Sequence, residues 1–266
     1  MTDIAVAATA PFGADVLERL AKRHEIASLL TRPDAPAGRG RRQASPPAKD
    51  VAERLGIRIL QPDRPTEQLD LGAPTVVVVA YGLLVPEAVL AKGLWLNVHP
   101  SLLPRWRGAA PVERAIMAGD EETGVTIHRT VKELDGGPIA AQQAFAIAPE
   151  DDAGAVYERA SGVAVQLLDD VLAREPAFRA QPEEGVTYAE KIRSDDRQLD
   201  LTQPARDLVN VVRGLSPHIG ARATLHGRPV TVWKARVADD GSFDPLEVQP
   251  DGGRRMAYQA WLRGLR

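Results

Sequence analysis

The sequence predicts an α/β fold with a mainly parallel sheet over residues 1–180, a linker over 181–187 and a small β-rich domain over 188–266. Three observations carry this reading. Strand-like and helix-like segments alternate up to residue 175, the pattern of a parallel sheet with crossover helices. The run Thr75-Val76-Val77-Val78-Val79-Ala80 is β-branched without interruption, as in a strand covered on both faces. After Pro176 the texture changes to short apolar runs separated by turn residues.

Taken in order, Ile4–Ala8 reads as a buried strand, and Ala14–Arg23 as a helix with Val16, Leu17 and Leu20 on one face. Ile26–Leu30 is a second strand. The stretch that follows contains Pro33, Pro36, Gly38, Gly40, Pro46 and Pro47, too many breakers for a helix or strand. Ala48–Leu55 is helical and Ile57–Leu60 extended. Pro86–Ala91 suits a helix with proline in its first turn, and Leu94–Val98 the next strand. Pro111–Ala118 is a helix stopped by Gly119. Gly124–Val131 and Ile139–Ile147 read as paired strands. Asp151-Asp152 caps a helix to Leu172 with Val156, Ala160, Val163 and Leu167 on one stripe. In the last domain, Ala221–Leu225 and Val230–Trp233 are strands flanking the turn His226–Pro229.

Composition narrows the function classes. With no cysteine, disulfides, thiolate metal sites and a cysteine nucleophile are excluded. The N-terminus has no signal-peptide pattern, and no apolar run approaches the ~20 residues that cross a bilayer, so a cytoplasmic protein without membrane attachment is expected. No His/Asp/Glu spacing matches a typical metal site, and there is no Gly-x-Gly-x-x-Gly, Walker loop or Gly-x-Ser-x-Gly elbow. Residues 1–187 carry 20 basic and 26 acidic side chains, net −6; residues 188–266 carry 13 and 10, net +3. In 31–49, Arg32, Arg39, Arg41, Arg42 and Lys49 face only Asp34. On charge alone these arginines are solubilising residues.

The segment Asn97-Val98-His99-Pro100-Ser101-Leu102-Leu103-Pro104 follows a strand-like run, and residues two apart on a strand point to one side. Asn97 can donate to a developing oxyanion. His99 can exchange protons near neutral pH. Asp135, in Leu134-Asp135-Gly136-Gly137, can orient His99 or take a proton from an amine. Ser101, Leu102, Leu103 and Pro104 can line a slot for a flat aromatic ligand. Each residue alone has an ordinary alternative: a turn asparagine, a packed histidine, a turn aspartate, a structural loop. Together the three polar groups suit acyl transfer onto an amine without a covalent enzyme intermediate.

The stretch Asn97–Ile139, including Arg107-Gly108-Ala109-Ala110-Pro111, resembles the folate-dependent formyltransferases. Features along almost the whole chain resemble the methionyl-tRNA formyltransferase branch: Thr31–Arg42, Val79-Ala80-Tyr81-Gly82-Leu83-Leu84-Val85-Pro86, Thr187–Ile192, Gly227–Ala235, Leu246–Pro250 and Trp261–Gly264. The resemblance implies a Rossmann-like formyltransferase domain followed by a reduced, OB-type β-barrel. It implies Asn97, His99 and Asp135 as the catalytic trio. Ser101, Leu102, Leu103, Pro104, Tyr81, Gly82 and Leu83 are implied as contacts for 10-formyltetrahydrofolate, the co-substrate, with no metal. Arg39, Arg41 and Arg42 are implied as contacts to initiator methionyl-tRNA, and the protein as a monomer serving translation initiation. Sugar-nucleotide N-formyltransferases share the central motif and are the alternative; a catalytically silent RNA- or folate-binding protein is a third reading. Two departures stand out. The turn reads Leu134-Asp135-Gly136-Gly137-Pro138 where the family has Leu-Asp-Thr-Gly-Asp. Only residues 236–245 separate Ala235 from Leu246, where the family has further strands.

Overall fold

The computed structural model describes residues 3–37 and 42–265. Its strands are β1 (Asp3–Ala8), β2 (Glu25–Leu30), β3 (Ala35–Ala37), β4 (Arg42–Ala44), β5 (Ile59–Leu60), β6 (Thr75–Val79), β7 (Leu94–His99), β8 (Arg107–Gly108), β9 (Glu122–Arg129), β10 (Ile139–Ala146), β11 (Tyr188–Ala189), β12 (Ala221–Leu225), β13 (Arg228–Val237), β14 (Phe243–Pro250) and β15 (Met256–Ala257). Its α-helices are α1 (Pro11–Leu20), α2 (Pro47–Leu55), α3 (Glu87–Leu90), α4 (Pro111–Met117), α5 (Ala153–Leu172), α6 (Ala205–Leu215) and α7 (Tyr258–Arg263). The chain divides into two compact units: 1–107, 124–144 and 158–186, and then 108–123, 145–157 and 187–266.

In the first unit a seven-stranded sheet runs in the order β10-β9-β7-β6-β1-β2-β5. β5, β2, β1, β6 and β7 are mutually parallel, and β9 lies antiparallel to β7. Both faces of the centre are covered: Ile4, Ala5, Val6, Ala7 and Ala8 all lack solvent exposure, as do Val77 and Val79. Burying an aliphatic side chain of this kind contributes roughly 1.5–3 kcal/mol, which offsets the ordering of the backbone. One face packs Ala5, Ala7, Leu30, Val76, Val78 and Trp95 into a single cluster. α5 begins where the Asp152 carboxylate accepts from the Ala155 amide at 3.0 Å, and it buries the stripe Val156, Ala160, Val163 and Leu167.

The proline-rich loop departs from expectation. Ala35–Ala37 and Arg42–Ala44 pair as an antiparallel ribbon, with Pro36 opposite Gln43. Both strands of a two-stranded ribbon have an unpaired outer edge, so the ribbon tolerates a proline that a central strand would not. Its base is tied down: the Lys49 ammonium lies 2.9 and 2.7 Å from the two Asp34 carboxylate oxygens, and the Gln61 amide donates to Asp34 and to the Arg32 carbonyl. The Gln61 hydrogen bond and then Lys49 lower the Asp34 pKa, and Asp34 raises that of Lys49, so one of the five cations in this segment is neutralised locally. Arg39 and Arg41 lie outside the described residues, as does the side chain of Arg42.

The second unit centres on a four-stranded sheet in the order β12-β13-β14-β15, antiparallel throughout. His226 and Gly227 connect β12 to β13 with φ of 51° and 71°, both positive as a tight two-residue hairpin turn requires. The connection from β13 to β14 is a turn over 238–242, closed by Ala238 N–H to the Ser242 carbonyl at 2.8 Å. The unit is less purely β than the sequence reading had it. After Pro204, α6 buries Leu208, Val212 and Leu215 at helical spacing, the latter two against Ala221, Ala223, Val230, Val232, Val248 and Trp261. The Arg114 guanidinium on α4 grips the Asp196 carboxylate through two bonds of 3.0 and 2.8 Å.

Among the described residues no helix is long and apolar enough to cross a membrane, and no cluster of three metal-ligating side chains occurs.

Candidate active site

β6 and β7 run parallel with Val78 beside Asn97, so both carboxyl ends open on the same edge, where open α/β sheets place ligands. Asn97 and His99 project from one side of β7. The antiparallel pairing then sets His128 of β9 opposite Asn97, and Thr126 opposite His99. Four polar side chains thus form a block on one face of the sheet. His99, Thr126 and His128 are buried, whereas Asn97 is half-buried.

Asp135 arrives from the turn after β9. Asn97 Nδ2 donates to Asp135 Oδ1 at 3.0 Å, and His99 Nδ1 lies 3.6 Å from Asp135 Oδ2. The three residues singled out from sequence therefore converge. The turn demands its glycines at one point above all: a Cβ on Gly137 would sit 1.8 Å from the Arg129 carbonyl oxygen, inside any van der Waals contact. The Gly-Gly-Pro variant still closes, because the Pro138 carbonyl accepts from Arg129 N–H at 2.9 Å and the missing proline N–H is not needed there.

His99 Nε2 lies 2.8 Å from the Trp106 carbonyl, which only accepts, so Nε2 carries a proton while Nδ1 faces Asp135. Burial lowers the His99 pKa, and this outweighs the nearby Asp135 carboxylate and the Trp106 hydrogen bond, which both raise it. Burial thus disfavours the charged form of the imidazole.

The backbone around the site is strained. Ala80, Trp106 and Asp135 take φ of 47°, 63° and 48°, left-handed values that cost a non-glycine residue about 1–3 kcal/mol each. Each sits where a strand or loop must turn sharply beside the polar block.

The expected folate contacts sort into two groups. Ser101 is fully buried, with its hydroxyl donating to the Arg105 carbonyl at 2.7 Å, so that oxygen is committed inside the protein. Leu103 is buried as well, while Leu102 and Pro104 stay half-buried. The Tyr81 ring belongs to the core beside Val78, Val85 and Trp95, and burial pushes its pKa up to about 12. Gly82 is exposed with φ of 76°, and Leu83 is half-buried.

Several side chains that no local pattern announces hold this arrangement. Thr126 Oγ1 donates to the Ser101 carbonyl at 2.7 Å and accepts from Leu103 N–H and Gln142 Nε2. The Gln181 amide donates to the Asp135 and Gly137 carbonyls at 2.7 and 2.8 Å, and its Oε1 accepts from the buried Arg107, which also pairs with Glu133. Only the His128 position, two residues beyond Thr126 on a strand, carried a usable signal.

A cavity of about 780 Å³ lies in the second unit, lined by residues such as Asn210, Arg213, Trp233 and Leu246. It contains none of the converging polar groups. Reactive groups at bonding distance define chemistry better than empty space does, so the block on β7 and β9 is the candidate active site.

Residues 3–172 match the family model described as formyl transferase, and residues 191–246 match its C-terminal domain. The chain is 39% identical over 287 aligned positions to the methionyl-tRNA formyltransferase of Jannaschia sp., covering 97% of this chain and 95% of that one. It is 44% identical over 243 positions to the enzyme of the same name from Roseobacter denitrificans, covering 87% and 79%. The solved methionyl-tRNA formyltransferase of Clostridium thermocellum shares the fold, with a TM-score of 0.68 at 14% identity, over 94% of this chain and 99% of that one. Family model, near-full-length identity and architecture agree: the chain belongs to the formyltransferase family, in its methionyl-tRNA formyltransferase branch.

Proposed function

We propose that this protein moves the formyl group of 10-formyltetrahydrofolate to the α-amino group of initiator methionyl-tRNA, acting in the cytoplasm as a monomer. The observation that carries the chemistry is the convergence of Asn97, His99 and Asp135 at the open edge of β7. In this reading residues 1–180 perform the transfer, residues 181–187 join the parts, and residues 188–266 engage the acceptor.

The residues fit a formyl carbonyl and an amine. Asn97 spends one amide N–H on Asp135 and has a second for the carbonyl oxygen as charge develops there. Such a donor is worth roughly 3–4 kcal/mol in the transition state. Asp135 takes the proton that the attacking amine must lose. His99 Nδ1 lies 3.6 Å from Asp135 Oδ2 and orients the carboxylate, and the proton then goes to the departing folate nitrogen. Half-buried Leu102, Pro104 and Leu83 supply an apolar wall for a flat ring, and exposed Gly82 lets backbone come close to it. Positioning the two reactants supplies much of the remaining rate. Arg39, Arg41 and Arg42 contact tRNA phosphates.

The test offers the purified protein 10-formyltetrahydrofolate with methionyl-tRNA and amino-sugar nucleotides side by side. Formyl-methionyl-tRNA is the expected product. Formylation of the amino sugar alone points to the sugar-nucleotide reading, and no transfer at all points to a silent binding protein.

A further inference from the structure

His128 stands outside the trio yet inside its polar block. The side chain is 2% exposed, lies directly opposite Asn97 across the β7–β9 pairing, and meets His99 edge-on with ring centroids 6.3 Å apart. Its Nδ1 is 3.0 Å from the Arg129 carbonyl, an acceptor only, so Nδ1 carries a proton. Its Nε2 has no hydrogen-bond partner among the described residues and points at Asp135 Oδ1 from 3.6 Å. His99 repeats this pattern on the other carboxylate oxygen, with one ring nitrogen bound to a backbone carbonyl and the other facing Asp135. The carboxylate therefore sits between two imidazole rings, each with one nitrogen turned toward it from 3.6 Å. An apolar side chain would satisfy strand burial at position 128 without leaving an unpaired polar nitrogen.

We propose that His128 is the proton-holding partner of Asp135 in formyl transfer, acting through the carboxylate as a positioning residue. The inference rests on the functional reading above. The amine N–H bond breaks as the proton passes to Asp135, and an N–H bond forms at His128 Nε2. The resulting imidazolium keeps Asp135 anionic beside Asn97. When the folate nitrogen leaves, the proton returns through Asp135 to that nitrogen and His128 is neutral again. The titratable groups facing His128 are Asp135 from the turn and His99 from β7; its other neighbours there are the Asn97 amide and the Arg129 and Gly137 backbone. Proton-transfer assistance of this kind is worth roughly 10²-fold in rate at its lower end.

The experiment compares wild type, His128→Gln and His128→Leu in single-turnover formyl transfer to methionyl-tRNA between pH 5 and 9, with tetrahydrofolate affinity measured alongside. We expect kcat to fall roughly 10²-fold in both variants with folate affinity unchanged. The acid limb of the profile should move by about one pH unit. Rate loss with an unmoved acid limb overturns the proposal. Ring-nitrogen NMR, which needs no folded variant at position 128, reads the same coupling: the His128 Nε2 signal at fixed pH should shift in Asp135→Asn. A His128 signal indifferent to Asp135→Asn also overturns it. If the wild type transfers no formyl group, the functional reading fails, and the NMR result still decides whether the two side chains share a proton.

Discussion

Asn97 and Asp135 meet at 3.0 Å although 38 residues separate them, and each is placed to act on a different atom of the reaction. Asn97→Ala removes the carbonyl donor while leaving the strand intact. It should lower kcat about 10²–10³-fold with little change in folate affinity. Asp135→Ala should lower kcat at least as far, because it also strips both imidazoles of their common partner. Stopped turnover measured against equilibrium folate binding separates these effects, and near-normal kcat in either variant contradicts the roles assigned. The surroundings of His99 show why residue type alone misleads. A histidine beside a carboxylate reads as charged, yet full burial disfavours the charge more than Asp135 favours it.

At the scale of elements, the loop 101–104 is held from below by β9. Thr126 makes three hydrogen bonds to Ser101, Leu103 and Gln142, all in a buried setting. Thr126→Val keeps shape and strand propensity but deletes the hydroxyl, leaving the Ser101 carbonyl and Leu103 N–H without it. The loss should be roughly 1–3 kcal/mol of unfolding free energy, with a raised KM for the folate donor. A denaturant titration showing unchanged stability refutes that account. The Asp135 turn is braced in the same manner by Gln181 and Arg107, side chains 74 residues apart in the chain. Strands β1, β2, β6, β7, β9 and β10 were all legible in the sequence to within two residues of their ends, the first four as largely apolar runs and β9 and β10 as a pair across the 134–138 turn. The β3–β4 ribbon was not legible, since prolines mask an edge ribbon as readily as they mark a coil. Nor was α6 distinguished within a stretch read as β-rich, although Pro204 and the Leu208, Val212, Leu215 spacing carry the signal.

Over the whole molecule, charge is distributed unevenly: net −6 in residues 1–187 and net +3 in 188–266, with a local basic excess in 31–49. Part of that excess is already spent, since Lys49 is paired with Asp34. Arg39, Arg41 and Arg42 are therefore the residues to test for polyanion binding. Replacing all three with alanine should raise KM for methionyl-tRNA, leave folate binding intact, and flatten the log–log salt dependence of tRNA affinity by about three. Identical salt slopes for the variant and the wild type dissociate this loop from RNA. The short connection between β13 and β14 is a closed turn, and the sheet it joins has its own buried cluster, so the abbreviated second unit retains a packed core.

By itself the sequence determined the α/β class, the family and the shared orientation of Asn97 and His99. Those follow from local rules: breaker residues, the two-residue period of a strand and a motif contiguous in the chain. Only the tertiary structure decided that Asp135 reaches Asn97, that His128 stands opposite it, that Gln181 and Arg107 hold the turn, and that Ser101 and Tyr81 face inward. Pairing register and desolvation set those outcomes, and both depend on residues far apart in the chain that no local window contains.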